Sequence, residues 1–152
     1  MIRILLLILF LVSCTEKEVF PQANYYISPS GNDSNDGSAG SPWRTLMKAC
    51  AEATDGDKIY AAAGTYTVNV ETEVPDGVSI QGAGIDITVF NCTYSGGPAL
   101  KLESYGYSGN TNYGNQSISY ATFNGLMTGK AAITVNFRSY VYIHHCKFID
   151  FT

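Results

Sequence analysis

The sequence predicts an all-β fold, a parallel β-helix with three short strands in each rung and one helix at its N-terminal end. Three observations support this prediction: a 25-residue repeat (Ile118 to Ile143), short apolar strands between turns after Asp57, and an unusual composition. The 152 residues include 15 Gly and 11 Tyr, which is typical of β-rich, turn-rich proteins. An antiparallel sandwich would also contain short alternating strands, but it would not keep residue identity at a fixed offset.

The repeat aligns residues 117–124 with residues 142–149. A rung of three short strands cannot bury its inward face alone, whereas stacked rungs share a continuous core. We therefore expect equivalent residues to lie on top of one another in successive rungs. The stacked pairs predicted are Ile118 with Ile143, Ala121 with Cys146, and Phe123 with Phe148.

Apolar patterning predicts the other strands, and turn formers mark their ends. Residues 104–116, rich in Gly, Asn, Ser and Tyr, are expected to leave the rung as a loop. The predicted strands are 25–28, 58–61, 77–82, 88–90, 100–102, 117–124, 133–135 and 142–149.

One segment predicts a helix. Ser41 suits an N-cap and Pro42 the first helical position. Helical spacing then gives one apolar face as far as about Ala53, made by Trp43, Leu46, Met47, Cys50 and Ala51.

The N-terminus predicts export. One positive charge and a nine-residue apolar run, 4–12, precede Ser13 and Cys14, and a run of this length fits a signal peptide rather than a membrane span. Leu11-Val12-Ser13-Cys14 resembles the lipobox of bacterial lipoproteins, which implies a lipid on Cys14 and attachment to the outer membrane or cell surface. The alternative is an ordinary signal peptide with a chance cysteine. The predicted organisation is a signal peptide (1–13), a tether (14–24) and a β-helix (25–152), with a cap at 25–56 and rungs at 57–152.

Charge and cysteine content exclude some classes of protein. The net charge is −4, and without a basic patch we expect no nucleic-acid partner. Cys50, Cys92 and Cys146 lack the CxxC spacing of a zinc site and are predicted to be small buried apolar residues.

The segment 25–66, YYISPSGNDSNDGSAGSPWRTLMKACAEATDGDKIYAAAGTY, resembles the opening of pectate-lyase-like, right-handed parallel β-helix proteins of bacteria. The resemblance implies a right-handed coil whose N-terminal end is capped by the helix from Pro42. Family members have many rungs, whereas this chain holds about three and shows no C-terminal cap. We therefore expect the chain to be truncated, the N-terminal portion of a longer protein.

The resemblance implies a carbohydrate-active surface protein with a polysaccharide as its partner. The leading expectation is a polysaccharide lyase, acting by β-elimination on acidic glycans; the alternative is a non-catalytic protein for glycan binding or adhesion. A glycoside hydrolase would need paired carboxylates, and Glu103 has no obvious partner in the sequence.

The same resemblance implies that substrate-binding groups project outward from the first strand of each rung and from its neighbouring loops. Lys101 and Arg138 could pair with an acidic sugar, and Tyr60 could stack on a sugar face; the alternative is that they are solvated surface residues. The catalytic residues themselves are not identified. The outward residues expected are Tyr60, Lys101, Glu103, Thr134, Asn136 and Arg138.

Two further groups are candidates for metal binding. Asp33, Asn35 and Asp36 offer oxygen ligands suited to calcium, although Asx turns explain the same run. His144 and His145 are expected to point to opposite faces, His144 outward and His145 in a turn, and so not to share an ion without a bend. Tyr140, Tyr142 and His144 are expected to form an outward aromatic platform.

Overall fold

The structure, a computed structural model, describes residues 25–104 and 114–152. The signal peptide, Cys14, the tether and residues 105–113 of the predicted loop lie outside the described residues. The described part is mostly β, with one short helix, α1 (Leu46–Glu52). The strands are β1 (Tyr25–Ile27), β2 (Lys58–Ala61), β3 (Gly64–Val68), β4 (Thr72–Glu73), β5 (Ser79–Gly82), β6 (Thr88–Cys92), β7 (Pro98–Glu103), β8 (Gln116–Asn124), β9 (Ala131–Asn136) and β10 (Val141–Ile149).

All pairings between these strands are parallel. Seven strands form one sheet in the order β1-β2-β5-β8-β6-β3, with β10 paired to β8, and the small sheet has the order β4-β7-β9. Apolar/polar alternation predicted most of these strands within a few residues. It missed β3 and β4, which are short and rich in Thr.

The seven-stranded sheet is bent, because β8 and β10 each contain one residue in the left-handed region, Tyr120 (φ 57°) and His145 (φ 52°). The first halves of β8 and β10 continue the β1-β2-β5 ladder, which we call the first half-sheet. Their second halves continue the β3-β6 ladder, the second half-sheet. From β2 onward the chain visits the first half-sheet, the second half-sheet and the small sheet in the same order.

The repeat register is confirmed: β10 pairs with β8 through Ile143–Ile118, Cys146–Ala121 and Phe148–Phe123. Inside the first half-sheet the stack of isoleucines continues from Ile118 to Ile80 on β5 and to Ile59 on β2. Ile59, Ile80 and Ile118 are fully buried, as expected for residues that stack at equivalent positions. Burial also confirms the prediction that Cys50 and Cys92 are core residues, while Cys146 is half-buried.

An aromatic column runs through the core of the second half-sheet. The ring centroids of Tyr66 and Phe90 are 5.2 Å apart, those of Phe90 and Phe123 5.2 Å, and those of Phe123 and Phe148 5.4 Å. Distances in this range are favourable for offset aromatic packing. Tyr66 satisfies its hydroxyl by donating to the carbonyl oxygens of Ile27 and Ala62.

The predicted helix start at Ser41 and Pro42 is wrong, since α1 begins at Leu46 with Thr45 as its N-cap. Trp43 is extended instead and forms a parallel bridge with Ile27. Its amide donates to the Tyr26 carbonyl, and its carbonyl accepts from Ser28. Sheet pairing therefore uses backbone groups that the helix would have needed.

The helix packs against β1, β3 and β4. It buries Leu46, Ala49 and Cys50, whereas Met47 and Ala51, predicted on the apolar face, are exposed. The four-residue shift of the helix start leaves only two turns, so a narrower face is buried.

At the opposite end of the stack, β10 has no partner on its outer edge among the described residues. Its inward side chains are consequently half-covered, with Ile143 40% and Phe148 46% exposed. Within residues 25–104 and 114–152 no helix is long and apolar enough to cross a membrane.

Candidate functional site

The outer face of the first half-sheet carries a ladder of side chains in parallel register. Because side chains alternate along a strand, the residues beside the buried isoleucines point outward. Five strands at about 4.8 Å spacing make this ladder about 19 Å long. Its members are Tyr26, Tyr60, Gln81, Ser119 and His144, of which Ser119 is buried.

Two tyrosines stand at the head of this outer ladder. The rings of Tyr26 and Tyr60 meet edge to face, with centroids 5.9 Å apart and an interplanar angle of 62°. Both rings are half-buried, so each keeps part of its surface in contact with solvent. The structure thus places Tyr60 facing outward, as the sequence predicts, and adds Tyr26, which the sequence analysis did not single out.

A second outward row runs beside the first and consists of Lys58, Ser79, Ser117 and Tyr142. The amide of Ser117 donates to Oγ of Ser79 at 3.0 Å, which fixes that hydroxyl between two strands. Tyr142 is 61% exposed. The predicted aromatic platform is present in part: Tyr142 and His144 are outward strand residues, whereas Tyr140 precedes β10 in a left-handed turn.

Lys101 lies on a different surface, the outer face of the small sheet, so the structure does not bring it together with Tyr60. Its Nζ forms an ion pair with the carboxylate of Glu103 and lies 4.0 Å from Oε1 of Glu71. Thr134 and Asn136 are the register partners of Lys101 and Glu103 on β9. Since carboxylates flank Lys101, its charge is already largely compensated.

Glu71 was missed by the sequence analysis; its carboxylate lies near the same lysine that pairs with Glu103. Glu71 immediately precedes β4, a strand of two residues that shows no alternating pattern. The pairing register of β4 and β7 shows its position. Glu73 pairs with Lys101, and Glu71, two residues earlier in the chain, therefore lies on the same face of the small sheet.

Arg138, predicted to project outward, is buried, with its side chain only 1% exposed. It lies at the corner where the chain passes from the small sheet to the first half-sheet, formed among the described residues by 74–78, 103–104, 114–116 and 137–140. The guanidinium is hydrogen-bonded to the first three of these segments. Nη1 donates to the Val74 carbonyl (2.7 Å) and Gln116 Oε1 (3.2 Å), Nη2 to the Glu103 carbonyl (2.7 Å), and Nε to Ser104 Oγ (3.2 Å) and Asp76 Oδ1 (2.9 Å).

This arrangement makes Arg138 a structural group. Burial lowers the pKa of its guanidinium, and the carboxylates of Asp76 and Glu73 act in the opposite direction. An arginine remains charged under such conditions. The physical reason for the wrong prediction is Phe137, whose left-handed backbone (φ 53°) interrupts the alternation of β9 and turns the next side chain inward.

The acidic loop at residues 33–36 is occupied by protein donors. Oδ1 of Asp33 accepts from the amides of Arg44 (2.8 Å) and Thr45 (2.9 Å), and Oδ2 accepts from the Thr45 hydroxyl (2.9 Å). Asn35 donates from Nδ2 to the Pro42 carbonyl, and Asp36 accepts from the Ser38 amide. These contacts hold the loop onto the start of α1, and the calcium site stays a prediction.

The same contacts set the ionisation of Asp33. Partial burial by itself would raise the pKa of this carboxyl group. Hydrogen bonds from Thr45 and Arg44, together with the charge of Arg44, outweigh burial and lower the pKa below its usual value. The hydrogen bonds from Ser38 lower the pKa of Asp36 in the same way.

Two observations concern metal and small-molecule binding in the described part of the chain, and the pocket among them is lined by none of the residues of the outer ladder. The part of the chain that the structure describes has no group of three or more His, Cys, Asp or Glu side chains arranged around an ion. A pocket of about 190 Å³ is lined by Pro29, Arg44, Thr45, Thr65, Tyr66 and Thr67. This volume is below the range of about 300–1,000 Å³ that is usual for small-molecule sites.

Comparison with known proteins gives one family. A family model described as a protein of unknown function, DUF1565, matches residues 29–139. No curated protein matches the chain, and no solved structure matches it.

Proposed function

The chain belongs to the DUF1565 family of proteins of unknown function, and we propose that it is a right-handed parallel β-helix that binds polysaccharide on the outer face of its first half-sheet. The observation that carries this proposal is the Tyr26–Tyr60 pair at the head of the outer ladder. Proteins of this family are associated with β-helices.

The strand arrangement supports the β-helix. Every pairing is parallel, and three successive passes of the chain visit the same three groups of strands in the same order. Equivalent side chains stack in register, as Ile80, Ile118 and Ile143 do. In a solenoid, stacking of this kind supplies the core that a single rung lacks.

The chemistry of the outer ladder supports a glycan as its ligand. A sugar presents C–H faces, which aromatic rings can cover, and hydroxyl groups, which amide and hydroxyl side chains can bind. Tyr26 and Tyr60 supply rings, while Gln81 supplies a polar amide on the adjacent strand. An extended face about 19 Å long suits a polymer better than a small molecule.

The two cations expected to bind an acidic sugar do not favour β-elimination. Arg138 is buried in the corner, and Lys101 is paired with Glu103. A lyase needs a base and a group that neutralises the uronate carboxylate. Binding without elimination is therefore the function that we propose, with a neutral glycan as the preferred ligand.

The sequence supports export as part of the same proposal. The apolar run 4–12 and the lipobox-like Leu11-Val12-Ser13-Cys14 lead us to propose a lipid anchor on Cys14 at the cell surface. Metabolic labelling with a radioactive fatty acid tests this directly. Label should enter the wild type and be absent from Cys14→Ser; equal labelling of both would contradict the anchor.

Glycan binding is tested by affinity electrophoresis and calorimetry of the full chain against neutral and uronate-containing polysaccharides. Tyr60→Ala and Tyr26→Ala should each weaken binding about three- to tenfold, the loss expected for one aromatic contact. Tyr94→Ala, outside the outer ladder, is the matched control and should bind as the wild type does.

Three results would overturn this proposal. They are no binding to any polysaccharide in the panel, equal affinity of Tyr60→Ala and the wild type, and turnover of a uronate polymer to products that absorb in the ultraviolet.

A further inference from the structure

The bend in β10 brings two neighbouring imidazoles together. Adjacent residues on a regular strand point to opposite faces, which would separate His144 from His145. The left-handed backbone of His145 (φ 52°) breaks this alternation. As a result Nδ1 of His144 lies 2.8 Å from Nδ1 of His145, and both side chains are exposed.

The two nitrogens are close enough to bind one ion in place of the hydrogen bond that joins them. With metal–nitrogen bonds of about 2.0–2.1 Å, a 90° angle at the metal puts the two ligand nitrogens about 2.8–3.0 Å apart, and a tetrahedral angle about 3.3 Å. The observed distance of 2.8 Å matches the 90° case. Cu²⁺ and Ni²⁺ favour such angles in square-planar or tetragonal sites, whereas Zn²⁺ favours the tetrahedral one.

Tyr120 holds the imidazoles in place. Its ring stacks on that of His145 with centroids 4.7 Å apart and an interplanar angle of 13°. It also meets His144 edge to face at 5.8 Å. Tyr120 occupies the bend of β8, the strand paired with β10, so the stack follows from the register of the two bends.

We propose that His144 and His145 chelate one divalent transition-metal ion, Cu²⁺ or Ni²⁺, through their Nδ1 atoms at the surface bend of β10. The described residues supply two protein ligands, and water fills the other positions. Tyr120 is a positioning residue and does not touch the ion. His144 is also the last member of the outer ladder, at the end opposite Tyr26 and Tyr60, and metal binding there requires no bound glycan.

Metal binding moves one proton between the nitrogens of one imidazole and changes no oxidation state. In the metal-free protein one Nδ1–H donates to the other Nδ1. Metal binding requires both Nδ1 lone pairs, so the donor ring exchanges its proton with solvent and carries it on Nε2 instead. Both imidazoles stay neutral, and the 2+ charge of the ion is unchanged.

The chain contains only two histidines, so the site can be tested without background from other imidazoles. The full chain, without a polyhistidine tag, is titrated with NiCl₂ by calorimetry and with CuSO₄ by electron paramagnetic resonance. The wild type should bind one ion and show nitrogen hyperfine structure from two imidazoles. Zn²⁺ should bind more weakly than Ni²⁺.

The variants are chosen to preserve the left-handed backbone at the bends of β8 and β10. Because Asn tolerates the left-handed region, His145→Asn and Tyr120→Asn preserve the backbone at these positions. His144→Gln and His145→Asn should each weaken Ni²⁺ binding about a hundredfold, the loss of a chelate, and reduce the nitrogen signal to one imidazole. Tyr120→Asn should weaken binding about tenfold with the two-nitrogen signal retained.

The proposal would be overturned by Ni²⁺ affinity in His144→Gln/His145→Asn equal to that of the wild type, by the absence of nitrogen hyperfine structure in the wild type, or by tighter binding of Zn²⁺ than of Ni²⁺. Circular dichroism of each variant establishes that the comparison is made on folded protein.

Discussion

Nε of Arg138 lies 2.9 Å from Oδ1 of Asp76, and Oγ of Ser104 donates to the same carboxylate oxygen at 2.7 Å. These residues belong to three successive passes of the chain through one corner. Arg138 is almost fully buried, whereas the Asp76 side chain is 41% exposed. The carboxylate therefore anchors the guanidinium at the boundary between the core and solvent.

Arg138→Ala should lower the free energy of unfolding by about 3 kcal/mol, because buried carbonyl oxygens lose their donor and Asp76 loses its partner. Arg138→Lys should cost less, since it keeps the charge but cannot reach all the acceptors. Urea unfolding measures both, with the exposed Lys130→Ala as control. If Arg138→Ala left stability unchanged but weakened glycan binding, the result would instead support the role predicted from sequence, in which Arg138 pairs with an acidic sugar.

Because of Asp33, the free energy of unfolding should fall as the solution is made acidic. Its pKa is lowered in the folded protein, so its contribution is complete above the unfolded value of about 3.9 and is lost as pH falls through the folded value. Asp33→Asn should cost about 1–2 kcal/mol at pH 7 and progressively less below pH 4. Unfolding midpoints between pH 7 and 3 measure this. The exposed Asp150→Asn, at a left-handed position that Asn tolerates, is the control, and a constant difference across the pH range would contradict the prediction.

The free energy of unfolding that is lost when a ring is removed should depend on the position of that ring in the aromatic column. Phe123 is fully buried between Phe90 and Phe148, and its truncation to Ala should cost about 3–5 kcal/mol. Phe148→Ala should cost about half as much, because its ring is 46% exposed. Thermal and urea unfolding of the two variants check this order; equal costs would show that the end of the column is buried in solution.

Gly82 should tolerate no side chain, because a Cβ there would lie 2.2 Å from the carbonyl oxygen of Tyr120. Gly82→Ala must push β5 away from the bend of β8 and should cost about 1–3 kcal/mol. Gly40→Ala is the matched control, since a Cβ there meets nothing within 4 Å, and its effect should stay within about 0.5 kcal/mol. Equal stability of the two variants would show that the β5–β8 approach is looser.

Regular strands were predictable because their rule is local. Alternation decides which side chains face inward, and the 25-residue offset decides which of them stack, so Ile118 on Ile143 and Phe123 on Phe148 followed from sequence. The outward position of Tyr60 followed for the same reason. The function of these surfaces did not follow, since exposure alone does not identify a ligand.

The sequence by itself determined a mostly β chain of parallel strands, their register and the outward position of Tyr60. Only the tertiary structure decided the residues at bends and corners. Left-handed backbone at Phe137 and His145 reverses the alternation, which buries Arg138 and brings His145 beside His144. Likewise, pairing of Trp43 with Ile27 delays the helix to Leu46. In each case a backbone conformation is stabilised by partners distant in sequence. The local pattern of apolar and polar residues therefore does not predict it.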